Sequence, residues 1–166
     1  CRRLPTLYTS LYNAQRNNNC YPFGPCTCAS KDDPQRYSDV LFTPDLVVAR
    51  TGEAQGFSML PKEQEATVSL VTAAAPNLKF AGELYDPDLM YDTVKNIFVA
   101  PRLAQPQTTT LVLGAWGCGA FGGDPSKIGE LFARALARDG YGALYQEVHF
   151  AIPKYSPNDI NADVFR

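Results

Sequence analysis

Apolar and polar positions alternate along the chain in patterns that predict several short strands. The predicted strands are 39–42, 46–49, 66–73, 111–113 and 145–152. Segment 66–73 alternates apolar with small polar residues and is rich in β-branched types, which is typical of a half-buried strand. The first two runs flank Thr43-Pro44-Asp45, which predicts two strands joined by a turn. Segment 111–113 is uniformly apolar and is followed by Gly, which predicts a strand buried on both faces.

Two Asp-Pro pairs, at 86–87 and 124–125, each precede a segment whose apolar residues recur every three or four positions. Asp is a favoured N-cap and Pro is favoured in the first helical turn, so both pairs predict helix starts. Pro101 is expected to end or kink the first helix, and Gly140 is expected to stop the second.

The N-terminal part of the chain has weaker signals. Segment 3–12 predicts one or two helical turns, whereas 13–35 is dense in Asn, Gly and Pro and predicts a long surface loop. Strands that alternate with helices indicate an α/β layered sheet. Segment 111–152 forms a strand-helix-strand unit, whose crossover would be right-handed if the two strands are parallel.

Composition and charge restrict the class of protein. The length of 166 residues, 45% of them hydrophobic, predicts one domain spanning 1–166. With a net charge of −2, the chain lacks the positive charge that would attract the phosphates of DNA, so DNA binding is disfavoured. The longest uncharged stretch, 103–123, is too polar to span a membrane. Five cysteines without framework spacing predict reduced thiols and an intracellular location, in the cytoplasm or the nucleus.

The most informative segment is the glycine loop, residues 114–123, between a predicted strand and a predicted helix. Five of its ten residues are Gly. Glycines let backbone amides approach a ligand, and a helix N-terminus adds partial positive charge, so the segment predicts a phosphate site without Lys or Arg. We expect Phe121 at the apex to contact a nucleotide and Trp116 to pack beneath it. The alternative is that the glycines only permit close packing of helix on sheet.

Residues 117–122 also match the dinucleotide-binding pattern G-x-G-x-x-G. The loop is longer than that fingerprint requires, and the acidic residue expected about 20 positions later is missing, since Glu147 comes later and in mid-strand. A dehydrogenase is therefore disfavoured. The chain has no Gly-Lys-Ser/Thr sequence, which excludes a P-loop ATPase.

Several pieces of the chain together resemble one family, the microbial-type poly(ADP-ribose) glycohydrolases, which have a macrodomain fold. The matching pieces are Cys1-Arg2-Arg3, Leu7-Tyr8, Leu11, Tyr21-Pro22, Tyr37-Ser38-Asp39, Thr43-Pro44, Ala74 to Asn77, Leu111 to Gly122, Val148 to Ile152, Asn161 and Phe165. The resemblance implies a three-layer α/β/α fold with a central mixed sheet, of which this chain lacks the N-terminal part.

The resemblance also implies a ligand and the residues that hold it. In the family the glycine loop wraps the diphosphate of ADP-ribose, and the aromatic at the Phe121 position orients the distal ribose. The implied ligand-binding residues are Gly114, Ala115, Trp116, Gly117, Cys118, Gly119, Ala120, Phe121 and Gly122. No cofactor or metal is implied, because the family's chemistry relies on carboxylates.

The family's general acid comes from a Gly-Gly-Gly loop followed by a Gln-Glu-Glu triplet, and the triplet precedes the segment that matches Cys1. Neither motif occurs in these residues, and Glu63-Gln64-Glu65 has the wrong order and neighbours. We therefore expect no catalytic residue within this chain. One explanation is that an N-terminal fragment of the same protein completes the fold. The other is a shortened homologue that no longer cleaves.

The resemblance therefore predicts the ADP-ribose-binding part of a glycohydrolase that cleaves ribose–ribose O-glycosidic bonds once the Gln-Glu-Glu segment is supplied. The alternative is a non-catalytic reader of ADP-ribosylated proteins. Expected partners are ADP-ribose or poly(ADP-ribose), ADP-ribosylated proteins and the N-terminal fragment.

Other residues invite chemical hypotheses that the sequence disfavours. Cys118 and His149 could form a nucleophile pair, but no third group orients them, and His149 reads as a surface strand residue. Cys1, Cys20, Cys26 and Cys28 lack the spacing of a zinc site. Arg2 and Arg3 could neutralise a phosphate but are expected to be solvated. Asn77 could cap a loop near the ligand, and capping alone is the safer interpretation.

Overall fold

The structure is a computed structural model that describes residues 2–18, 38–79, 85–154 and 156–166. The chain divides into two compact units, a smaller one that includes the N-terminal helix and Leu41–Thr72, and a larger one that includes Ala73–Arg166. Helices and small sheets occur together, so the mixed α/β class predicted from the sequence is confirmed. The expectation of one domain over 1–166 stays a prediction.

The described part of the smaller unit contains one α-helix and one two-stranded sheet. Helix α1 covers Leu7–Asn18, and strands β1 (Val40–Val48) and β2 (Ala66–Ala73) pair with each other. The prediction for β2 is confirmed. Helix α1 is longer than predicted, so the loop expected from residue 13 is wrong as far as residue 18, and 19–37 lie outside the described residues.

The prediction of two strands around Thr43-Pro44-Asp45 is wrong, because β1 is one strand that continues through Pro44. Pro is tolerated where no ladder hydrogen bond is required of its nitrogen, as at an edge. Asp45 takes a positive φ of 54°, and its amide donates to Ser69 Oγ at 3.3 Å. Thr43 is buried, and its hydroxyl oxygen lies 3.0 Å from Ser10 Oγ of α1.

The larger unit is built on the strand-helix-strand segment. Strands β3 (Thr110–Leu113) and β4 (Glu147–Phe150) are parallel, in a register that pairs Leu111 with Val148 and Leu113 with Phe150. Strand β4 is shorter than the predicted 145–152. The helices of this unit are α2 (Pro87–Ala104), α3 (Pro125–Ala133) and α4 (Asn161–Val164).

Both predicted helix starts are confirmed. The Asp86 carboxylate accepts hydrogen bonds from the amides of Asp88 and Leu89, each at 3.0 Å. The Asp124 carboxylate accepts one from Ser126 at 2.9 Å. These bonds satisfy amides that have no partner inside the helix.

Pro101 does not end α2, which continues to Ala104. The proline lies in the last turn, and its carbonyl still accepts a hydrogen bond from the Gln105 amide at 2.8 Å. The helix therefore loses one amide donor without losing its last turn.

Aromatic side chains form the core of the larger unit. Phe98 of α2 and Phe132 of α3 are fully buried, with ring centroids 6.3 Å apart. Phe132 also meets Phe150 edge-on at 5.6 Å and lies 5.9 Å from Phe165. The Tyr145 hydroxyl donates to the Phe98 carbonyl at 2.6 Å, which gives a buried polar group its partner.

The prediction that β3 is buried on both faces is wrong. Leu111 and Leu113 are buried, but Val112 between them is 63% exposed. Its register partner is His149, and the two flanking positions of this face are Thr110 and Glu147. The outer face of the two strands is therefore mostly polar, which suits contact with water.

The end of the α3 segment widens into a π-helix over Arg134–Arg138. The Asp139 amide donates to the Arg134 carbonyl at 2.9 Å, and Gly140 then stops the helix with a φ of 78°, as predicted. Asp139 also accepts hydrogen bonds from the Tyr91 hydroxyl and from Arg134 Nε. The Arg134 guanidinium stacks on the Tyr91 ring at 3.8 Å, which joins this turn to α2.

None of the described helices combines the length and apolar character that a membrane crossing requires.

Candidate functional site

The glycine loop connects the carboxyl end of β3 to the start of α3. Tight backbone turns hold its shape. The loop's internal bonds are Trp116 N to Gly114 O (2.9 Å), Cys118 N to Ala115 O (3.1 Å), Gly122 N to Gly119 O (3.1 Å) and Gly123 N to Gly117 O (2.9 Å). The loop is therefore shaped by its own main chain.

The same pattern leaves four amides of the loop without an acceptor among the described residues. The N–H groups of Gly117, Gly119, Ala120 and Phe121 donate no hydrogen bond to any residue that the structure describes. Neighbouring amides in consecutive turns form concavities that bind anions. The loop thus offers several donors to a ligand such as a phosphate.

Three glycines of the loop are required by its geometry. Gly117 and Gly122 have φ values of 78° and 71°, which other residues rarely adopt. A Cβ on Gly123 would lie 2.4 Å from Ile128 Cδ1 and 2.8 Å from the Gly117 carbonyl oxygen. Backbone conformation therefore accounts for Gly117 and Gly122, and close packing accounts for Gly123.

Packing does not account for Gly114 and Gly119. A Cβ built on either would meet nothing within 4 Å, and neither has a positive φ. Any small residue would fit the described structure at these two positions. Glycine at these positions leaves the backbone open to close approach.

The two aromatic residues of the loop differ in environment, as expected from the sequence. Trp116 is half-buried, and its indole N–H donates to the Ala73 carbonyl at 3.2 Å. Phe121 is 41% exposed, and its carbonyl accepts a hydrogen bond from Leu78 at 2.8 Å. The Trp116 indole thus ties the loop to Ala73 by a hydrogen bond, whereas Phe121 is exposed at the surface.

The expectation that the helix N-terminus adds positive charge to the site needs correction. The Asp124 carboxylate caps α3 by binding the Ser126 amide, so a negative charge already occupies that helix end. Burial, and to a smaller extent the charge of Asp124, raise the pKa of Cys118 to about 11. The residue that starts the helix also makes the site's surroundings more negative.

Cys118 and His149 do not form a catalytic pair. The Cys118 thiol lies 3.6 Å from the Trp116 carbonyl oxygen, and its raised pKa keeps it protonated at neutral pH. His149 is exposed on β4 and contacts Glu147 Oε2 at 3.0 Å. Each side chain is engaged with a different group.

The segment 77–79 lies against the glycine loop. The Leu78 amide binds the Phe121 carbonyl, and Asn77 Oδ1 accepts from the Lys79 amide at 3.3 Å, so the predicted capping role of Asn77 is confirmed. A Cβ on Gly122 would lie 2.6 Å from Lys79 Cγ. No sequence motif marks Lys79, because its contact with the loop arises only from the tertiary fold.

The structure describes only some of the remaining candidates. Cys1, Cys20, Cys26 and Cys28 lie outside the described residues. Within the described ranges no three His, Cys, Asp or Glu side chains are grouped so as to hold a metal ion. Arg2 stacks over Phe57 at 5.3 Å, and Arg3 Nε donates to the Arg50 carbonyl at 3.2 Å.

No protein-family model matches the chain, and no curated protein matches it. Several solved structures do. The poly(ADP-ribose) glycohydrolase of Thermomonospora curvata is 27% identical with a TM-score of 0.74, over 96% of this chain and 55% of that chain. The same enzyme bound to the inhibitor ADP-HPD is 26% identical with a TM-score of 0.74, over 96% and 57%.

The poly(ADP-ribose) glycohydrolase of Deinococcus radiodurans in complex with ADP-ribose is 25% identical with a TM-score of 0.63, over 76% of this chain and 50% of that chain. The architecture is thus that of a macrodomain-like α/β protein. More narrowly, the chain has the fold of the microbial poly(ADP-ribose) glycohydrolases, and the resemblance seen in the sequence is confirmed. It spans about half the length of these structures.

Proposed function

We propose that this chain binds ADP-ribose as part of a microbial-type poly(ADP-ribose) glycohydrolase. The observation that carries the proposal is the set of amides at Gly117, Gly119, Ala120 and Phe121 that bind no acceptor among the described residues, which makes them candidate donors to a diphosphate. The presence of ADP-ribose in a structure with the same fold supports this choice of ligand.

In this proposal each part of the glycine loop has a distinct role. The free amides donate to the diphosphate oxygens, and the absence of side chains at Gly114 and Gly119 lets the ligand approach the backbone. The exposed ring of Phe121 packs on the distal ribose. Ala115, Trp116, Cys118 and Gly122 hold the shape of the loop.

The proposed reaction is hydrolysis of a ribose–ribose O-glycosidic bond. A carboxylic acid protonates the departing ribose oxygen, an oxocarbenium-like transition state forms, and water supplies the new hydroxyl. These residues contain no Gln-Glu-Glu triplet, so in this proposal the acid comes from protein outside them. We also propose that the protein acts inside the cell, on ADP-ribose polymers or ADP-ribosylated proteins.

Isothermal titration calorimetry with ADP-ribose tests the binding step. Gly119→Ala adds a methyl group that meets no protein atom within 4 Å, so folding should be unchanged. The methyl group would occupy the ligand's approach, and affinity should fall about tenfold or more, equivalent to about 1.4 kcal/mol. Gly52→Ala, the same change outside the loop, is the matched control and should bind like the original chain.

The binding proposal fails if the unchanged chain shows no heat of binding with ADP-ribose, or if Gly119→Ala binds as tightly as the control. Thermal unfolding of both variants, followed by circular dichroism, verifies that a loss of binding is not a loss of fold.

The alternative function is a non-catalytic reader that binds ADP-ribosylated proteins. Incubation with poly(ADP-ribose) separates the two. Binding to the polymer without release of ADP-ribose by the complete natural protein supports the reader, whereas release supports the glycohydrolase.

A further inference from the structure

We propose that Lys79 supplies the positive charge that balances the ligand's diphosphate at the glycine loop, which makes it a specificity-determining residue for phosphate-bearing ligands. The inference rests on the proposed binding function. It adds a positively charged side chain, which the loop itself does not contain.

The position of Lys79 is set by two hydrogen bonds. The adjacent Leu78 amide is fixed to the Phe121 carbonyl at 2.8 Å, and the Lys79 amide is fixed to Asn77 Oδ1 at 3.3 Å. A Cβ on Gly122 would lie 3.3 Å from the Lys79 nitrogen and 2.6 Å from its Cγ. The lysine stem therefore lies against the loop, and its ammonium group is three bonds beyond that contact.

The electrostatics of the loop create a need for a cation. The Asp124 carboxylate caps α3, and its charge is one cause of the raised pKa of Cys118 inside the loop. A diphosphate would add two more negative charges to these surroundings. Backbone amides supply only partial charges, so a full positive charge nearby would improve binding.

Lys79 differs from the other described lysines of the larger unit. Lys95 pairs with Asp92 at 2.6 Å, and Lys154 pairs with Asp163 at 2.8 Å. Lys127, in the first turn of α3, lies over the Tyr85 ring at 5.0 Å. Lys79 is exposed and forms no ion pair with any residue the structure describes, so its charge is available to a ligand.

Calorimetric titration of Lys79→Gln, Lys79→Arg and Lys62→Gln tests this role. Lys62→Gln removes the same charge from a short helical turn of the smaller unit and is the control. At low salt, Lys79→Gln should weaken ADP-ribose binding about three- to tenfold, the range of a partly exposed charge pair, whereas Lys79→Arg and Lys62→Gln should change it less than twofold. The difference in ADP-ribose affinity between Lys79→Gln and the unchanged chain should shrink as salt is added.

Adenosine, which has no phosphate, is the second probe. Its binding should be the same for the unchanged chain and for Lys79→Gln, since the lysine acts on the diphosphate. The inference is overturned if Lys79→Gln binds ADP-ribose like the unchanged chain, or if Lys62→Gln loses as much affinity as Lys79→Gln. It is also overturned if Lys79→Gln loses as much affinity for adenosine as for ADP-ribose. If the unchanged chain binds no ADP-ribose, the proposed function fails as well.

Discussion

The aromatic core and the glycine loop of the larger unit are held together in different ways. Phe132 contacts three other aromatic rings, at centroid distances of 6.3, 5.6 and 5.9 Å, so side chains determine the core. The loop is shaped by backbone hydrogen bonds and by residues without side chains. Removing atoms should therefore harm the core, whereas adding atoms should harm the loop.

The largest expected effect is on the core. Phe132→Ala removes a fully buried ring and leaves a cavity among Phe98, Phe150 and Phe165, which should reduce the free energy of unfolding by about 3–5 kcal/mol. Leu103→Ala, at a position 77% exposed, should change it by less than about 0.5 kcal/mol. Urea unfolding measures both, and equal effects would contradict the difference between core and surface.

A smaller effect is expected when an atom is added to the loop. The Cβ in Gly123→Ala would lie 2.4 Å from Ile128 Cδ1 and 2.8 Å from the Gly117 carbonyl oxygen, so the free energy of unfolding should fall by about 1–3 kcal/mol. In an Ile128→Val background, which lacks Cδ1, Gly123→Ala should cost less than in the unchanged chain but should still cost stability, since the carbonyl contact remains. If Gly123→Ala costs nothing relative to Ile128→Val alone, the side chain, not the backbone, limits this position.

The charge of Asp124 has a more modest effect, which Asp124→Asn isolates, because Asn is an equally good N-cap. Loss of the carboxylate should lower the pKa of Cys118 from about 11, while burial keeps it above the ordinary value of 9.0. The rate of thiol alkylation as a function of pH measures this shift. An unchanged pH profile would mean that burial alone sets the pKa of Cys118 and that the charge of Asp124 has no effect on it.

The smallest expected effect concerns Asp139 at the end of the π-helix. The Tyr91 hydrogen bond, followed by the charge of Arg134, lowers the pKa of this carboxyl below its ordinary value of 3.8. A lowered pKa stabilises the folded state above the unfolded-state pKa, and this contribution is lost as pH falls through the folded-state value. Tyr91→Phe should therefore lose less stability between pH 6 and pH 3, as followed by urea unfolding. A larger loss of stability on acidification in Tyr91→Phe would contradict the role assigned to the Tyr91 hydrogen bond.

The elements that the sequence predicted well are those with local causes. The Asp-Pro pairs at 86–87 and 124–125 mark helix starts because the cap and the amides it binds are neighbours in the chain. The exposure of Val112 could not be predicted, since it depends on which elements cover the sheet. The same holds for Lys79, which meets the glycine loop only through tertiary structure.

Pro44 and Pro101 show the limit of rules that treat proline as a terminator. One lies within β1 and the other within the last turn of α2. A missing amide donor matters only where the fold needs that donor, and the sequence does not reveal where this is so.

The π-helix at Arg134–Arg138 holds one more residue than an ordinary helical turn would. Deleting a single residue there would close the segment as an ordinary helical turn, and the residues that follow would keep their direction about the helix axis. Asp139 would still face Tyr91, and Gly140 would still be placed to end the helix. A deletion in the regular part of α3 would instead rotate everything downstream by about 100°, so the π-helix is the stretch of this helix where loss of one residue should be tolerated best.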